Sequence, residues 1–197
     1  MMENIVLDTS AFGQLTDEQF FDFCRQNRDL HIERTAKGQI IIMTPTGGIT
    51  GNRNNEILFH LNLWNKKHQR SAARLGWVFD SSTGFALPDT SVRSPDASWI
   101  RKERWEALSL EEQEKFPPLC PDFVIELRSK HDNLPAIQNK MKDWINNGCR
   151  LAWLIDPENQ QVFIYKQSIE ETINGFDNIL SGENILPGFT FDLQTLQ

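Results

Sequence analysis

The chain has 197 residues, enough for one domain with a sizeable core, and the whole of 1–197 is expected to form it. With 39% apolar and 24% charged residues the composition excludes a disordered chain, and a net charge of -7 argues against a strong, non-specific grip on nucleic acid. No apolar run is long enough to span a bilayer, and "MMENIVLDTS" lacks a basic region followed by an apolar core, so neither a membrane partner nor a secretion signal is expected.

In chain order, "TDEQFFDFCRQN" (16–27) is a predicted helix, with Thr16 as its cap and Phe20, Phe23 and Cys24 at helical spacing. "LHIERTAKGQIIIMTP" is a predicted hairpin turning around Lys37-Gly38. A helix follows the glycines of "TPTGG" and continues to about His68. "GWVFDSSTGFAL" and "SPDASWIRK" read as strands, and "SLEEQEKF" is a helical excursion ended by Pro117-Pro118. "PDFVIELRS" is a strand. "DNLPAIQNKMKDWINNG" is a helix with Asp132 as cap, Pro135 in its first turn and Gly148 as terminator. "RLAWLIDPENQQVFIYK" is a second hairpin turning at "DPEN", and "FTFDL" is a short final strand or an extended tail. This order predicts an α/β (α+β) domain, one mixed central sheet flanked by helices. Cys24, Cys120 and Cys149 form no CxxC pair and are expected to be reduced core thiols of a cytoplasmic protein.

Glu126 stands out because apolar residues surround it in a strand. Alternation puts Phe123, Ile125 and Leu127 on one face and Asp122, Val124, Glu126 and Arg128 on the other. A buried carboxylate costs several kcal/mol unless a charge meets it. Either Arg128 pairs with Glu126, or Glu126 belongs to a site. Asp96, after Pro95, lies near a strand start or bulge. Two carboxylates meeting across neighbouring strands repel unless a proton or a cation lies between them, and oxygen ligands select Mg²⁺ or Mn²⁺. Glu56 falls on the flank of the stripe Ile57, Leu58, Leu61 and Trp64, where it either snorkels or points into a site. Lys140 is nearer than Lys142 to the buried edge of its helix and is either peripheral or able to reach across the sheet end. The basic stretches "NKKHQR" (65–70) with Arg74, "RKER" (101–104) and "RSKH" (128–131) each read as ordinary solvated faces when taken alone. No Walker or GxSxG motif occurs, and the four histidines show no zinc spacing.

"SPDASWI" (94–100), the stretch from "PDFVIELRSKHDNLP" to "AWLIDPENQQVFIY" (121–165), the closing "LPGFTFDL" (186–193) and the helix opening at "GGITGNRNNE" together resemble the Uma2 (DUF820) family. The resemblance covers nearly the whole chain. It implies a fold like that of PD-(D/E)xK restriction endonucleases, and a site of Glu56, Asp96, Glu126 and Lys140. The lysine usual two residues after the strand acid is replaced by Arg128, which cannot act as a base. The implied activity is Mg²⁺- or Mn²⁺-dependent hydrolysis of DNA phosphodiesters. Asp96, Glu126 and the Leu127 carbonyl would hold the metal, and Glu56 would bind through water or help a second ion. Lys140 would orient water or steady charge. Arg128, Lys130, Lys66 and Lys67 would lie along the phosphate backbone. A homodimer is expected, because cutting two strands needs two sites. The alternative is a non-catalytic nucleic-acid-binding or regulatory protein that retains the nuclease fold.

Overall fold

A computed structural model of the protein describes residues 4–67 and 75–197. The elements begin with β1 (Ile5–Leu7), α1 (Asp17–Gln26), β2 (His31–Arg34), β3 (Ile40–Met43) and α2 (Gly48–Lys67). They continue with β4 (Gly76–Asp80), β5 (Phe85–Ala86), β6 (Val92–Arg93), β7 (Ala97–Arg101), α3 (Lys102–Glu106) and α4 (Leu110–Glu114). Then come β8 (Phe123–Leu127), α5 (Leu134–Asn146), β9 (Leu151–Asp156), β10 (Gln161–Lys166), β11 (Ile169–Asn174), β12 (Ile179–Ser181) and β13 (Thr190–Asp192).

The expected mixed sheet is present, in the order β11-β10-β9-β8-β7-β4, with β8 and β9 parallel and the other pairs antiparallel. Helix α5 is the crossover that parallel strands require. Both faces of β8 and β9 are covered, which explains their near-continuous apolar sequence. Phe123, Ile125 and Leu127 pack with Ile57, Leu61 and Trp64 of α2 and with Phe189 and Phe191 near the C-terminus. Val124 packs on the other face with Met141 and Trp144 of α5.

Several expectations need correcting. A second sheet, β1-β3-β2-β6-β5, and a β12-β13 pair accompany the main one, so the protein is not built on a single sheet. "GWVFDSSTGFAL" is split: β4 edges the main sheet and β5 belongs to the second, because the chain turns at Ser81-Ser82. The cap of α5 is Asn133, whose side chain accepts from Ala136 N, while Asp132 accepts from Ser129 N at 2.8 Å. Gly148 ends that helix as expected, at φ +104°; its N–H bonds the Ile145 carbonyl and that of Cys149 the Trp144 carbonyl, a left-handed cap that suits glycine. Thr16 caps α1 with a reciprocal bond to Gln19, and the expected hairpins turning at Lys37-Gly38 and "DPEN" form. His68 and the rest of its basic stretch through residue 70, with Arg74, lie outside the described residues. Among the described residues no helix is long and apolar enough to cross a membrane.

Candidate active site

The segment 93–96 carries the chain from the second sheet into the main one, and the site assembles around it. Strands β7 and β8 pair Ala97 with Ile125 and Ser98 with Val124. One further step of that register sets Asp96 opposite Glu126. Beyond that step Pro95 has no N–H to give, and the Asp96 carboxylate instead takes the Leu127 N–H at 2.7 Å through Oδ2. Its Oδ1 accepts from Asn54 Nδ2 of α2 at 3.1 Å.

Glu126 is 7% exposed and does not pair with Arg128. Its Oε1 accepts from Lys140 Nζ at 3.0 Å and from Trp144 Nε1 at 3.0 Å. Lys140 and Trp144 are one turn apart on α5, so a single helix edge supplies both donors. Lys142, two residues on, is half exposed and pairs with Glu170 at 3.4 Å. Arg128 turns to Asp156 instead, at 2.6 Å, and its Nε donates to the Asp132 carbonyl at 3.2 Å. Asp156 is fully buried at the end of β9, which is why the guanidinium is drawn there.

Sequence reasoning missed Glu33. On β2 the side chains alternate: Arg34 goes to Asp17 and to carbonyls of Leu15 and Thr90, and Glu33 goes to the site. Glu33 Oε1 accepts from Lys140 Nζ at 3.0 Å and from Ser94 N at 3.0 Å, and Oε2 from Arg93 Nη1 at 3.0 Å. Lys140 also donates to the Ser94 carbonyl at 3.1 Å. The available signal was the one that marked Glu126, a charged residue inside an apolar strand, "LHIERTAKGQIII".

The charges set each other. Burial would raise Glu33, but the Lys140 and Arg93 charges and the Ser94 N–H outweigh it and hold its carboxyl down at about 2. Burial pushes Glu126 up to about 7; Lys140 opposes that, while the negative charges of Asp96 and Glu33 add to it. Burial also raises Asp96 above the usual carboxylate range, against its Leu127 bond and Lys140. Burial favours the neutral form of Lys140, yet Glu126 and Glu33 together raise it, so it stays an ammonium.

Glu56 is placed differently from Asp96 and Glu126. Its carboxylate lies 4.0 Å from His60 on its own helix, and the His60 ring meets Phe191 edge-on with centroids 5.5 Å apart. Asn54 is the α2 residue that touches Asp96; at about 100° per residue the two side chains are about 200° apart around the axis. Among the described residues no group of three His, Cys, Asp or Glu is gathered closely enough to hold an ion. Two carboxylates and neutral oxygens are what the site offers. Glu126 Oε2 lies outside the contacts to Lys140 and Trp144, and Asn54 Oδ1 is a buried acceptor without a partner among the described residues. These oxygen donors fit a hard divalent cation in kind.

Of the expected phosphate contacts, Lys130, Lys66 and Lys67 are exposed. Lys66 and Lys67 end α2, about 18 Å along the axis from Asn54 at 1.5 Å per residue. In "RKER", Arg104 is committed to the buried Asp122 at 3.0 Å.

A family model matches residues 17–194: Uma2, described as "Putative restriction endonuclease". Among solved structures, the crystal structure of "a putative nuclease belonging to DUF820" from Anabaena variabilis ATCC 29413 superposes with a TM-score of 0.73 at 20% identity, covering 92% of this chain and 97% of that one. At that identity the likeness shows a shared fold. No curated protein matches the sequence.

Proposed function

The chain belongs to the Uma2 family, and on that premise we propose that it is a Mg²⁺- or Mn²⁺-dependent nuclease that hydrolyses DNA phosphodiesters. The observation that carries the reading is the Asp96 carboxylate held by the Leu127 N–H at 2.7 Å, next along the strand from Glu126, with the Lys140 ammonium 3.0 Å from Glu126.

Asp96, Glu126 and the Leu127 carbonyl would hold the cation, which when bound supplies an acidified water and neutralises phosphate charge. This chain's residues then have distinct tasks. Lys140 remains protonated between two carboxylates, so it is no base. Its three N–H bonds go to Glu33, Glu126 and the Ser94 carbonyl, so what it offers a phosphoryl oxygen that gains charge in the transition state is positive charge. Glu33, fixed by Arg93 and Ser94 N, keeps that ammonium in place when Glu126 also serves a cation through Oε2. Trp144 fixes the orientation of Glu126 through Oε1. Arg128 belongs to the support of Asp156. The reading includes a homodimer, one site for each strand, and a cytoplasmic protein, which the free cysteines Cys24, Cys120 and Cys149 suit.

The test is cleavage of plasmid DNA with Mg²⁺ or Mn²⁺. The native protein is expected to nick or linearise it. Asp96→Asn, Glu126→Gln and Lys140→Ala are each expected to lose on the order of 100-fold or more, the scale of removing one electrostatic stabiliser. A native protein inert toward DNA under both metals sinks the proposal; cleavage of RNA alone moves it to another substrate.

A further inference from the structure

Helix α2 reaches the site through an amide. Asn54 Nδ2 donates to Asp96 Oδ1, the orientation of the amide that an ionised carboxylate requires. Asn54 Oδ1 is thereby left buried with no partner among the described residues. A buried acceptor without a donor costs about 1–3 kcal/mol, so its retention calls for a reason. Glu56 has no such position: its carboxylate sits beside His60, on the side of α2 that faces Phe191.

We infer that Asn54, and not Glu56, is the helix residue of the cation site: its Oδ1 supplies a neutral oxygen ligand beside the Asp96 and Glu126 carboxylates. This rests on the metal-dependent reading above and assigns its third side-chain donor. It also accounts for the lack of a triad of acids among the described residues, because the third side chain is not an acid. The same amide does two things. Without metal, Nδ2 occupies an Asp96 lone pair. With metal, Oδ1, bonded to the same carbon, would supply a neutral oxygen to the cation. An amide adds no charge to two carboxylates already faced by Glu33, so the site avoids a fourth buried negative group.

The experiment is Mn²⁺ titration by calorimetry on the full chain, with thermal melts in parallel. The native protein is expected to bind Mn²⁺. Asn54→Ala is expected to weaken binding by roughly ten- to a hundred-fold, the scale on which groups around a metal tune it. Glu56→Gln is expected to leave binding unchanged. Asn54→Asp is the variant that separates a ligand from a brace. It places a carboxylate against Asp96, so it should melt below the native protein without metal and gain more than the native protein on adding Mn²⁺. A mere brace for Asp96 gives no such metal rescue. Unchanged binding in Asn54→Ala, or loss in Glu56→Gln instead, overturns the assignment while the metal site stands. No Mn²⁺ binding by the native protein overturns both.

Discussion

Glu33 and Lys140 are 107 residues apart and meet at 3.0 Å, tying β2 of the second sheet to α5 on the main one. Both are nearly removed from water, with side chains 3% and 14% exposed. Taking away one member of such a pair strands the other charges. Glu33→Ala is therefore expected to destabilise the fold by about 3 kcal/mol, near the lower end for a broken buried pair, because Lys140 keeps Glu126 and Arg93 keeps Asp143. Urea unfolding checks this. A loss within a few tenths of a kcal/mol, as for surface pairs, counts against the clamp.

The same cluster predicts a pH dependence in two limbs. Folded Glu126 keeps its proton up to about 7, whereas an ordinary glutamate releases it near 4.5. Between these values the folded state binds more protons than the unfolded chain, so stability falls as pH rises through that window. Glu33, held at about 2, acts oppositely: its contribution is full above about 4.5 and is lost as pH falls toward 2. Denaturation from about pH 5 to 8 should show the native protein losing on the order of 2–3 kcal/mol that Glu126→Gln does not lose. Parallel profiles for the two proteins would show that Glu126 ionises normally.

Arg128 is predicted to matter for folding and not for the metal. Arg128→Met leaves Asp156, 0% exposed, with Asn159 as its remaining side-chain partner among the described residues. The expected cost is about 3–5 kcal/mol in urea unfolding. Mn²⁺ affinity of the folded fraction should stay at the native value. A stable variant with weakened metal binding would return Arg128 to the site.

Legibility in the sequence followed the range of the physics. The alternation of β8 and the stripe of α5 are local, and "PDFVIEL" and "LPAIQNKMKDWIN" announced them, while the α5 cap fell one residue from the expected Asp132, at Asn133. The helical angle put Lys140 nearer than Lys142 to the buried edge, and its place in the site came from the family resemblance. The partner of Glu126 was not readable, because Arg128 and Lys140 were both candidates. The decision came from Asp156, a buried charge on another strand that claims Arg128. Glu33 carried the same mark as Glu126, a charge in an apolar strand, but its partners were not readable for the same reason. It comes from a second sheet, and short strands such as Phe85–Ala86 and Val92–Arg93 are too brief to show a period. Glu56 was named because the family pattern supplied an acid on that helix, and Asn54 was not weighed. The rotation of α2 against the sheet, set by Ile57, Leu61 and Trp64 in the core, turns the amide toward Asp96.

The exposed lysines give the last prediction. Lys130 follows the site strand by three residues, so it is expected to touch a phosphate next to the reacting one. Lys66 and Lys67 lie about 18 Å along α2 from Asn54, a span of about five base steps at 3.4 Å each. A duplex must extend that far before it can meet them. Lys130→Ala should reduce the salt slope of DNA binding by about 0.9 on any duplex, the value for one lost contact. The double variant Lys66→Ala with Lys67→Ala should reduce it by about twice that on a long duplex and leave a duplex reaching fewer than about five pairs beyond the site unaffected. Fluorescence anisotropy over a range of salt, with two duplex lengths, reads both. Equal effects of the double variant at both lengths would mean that the duplex does not run along α2.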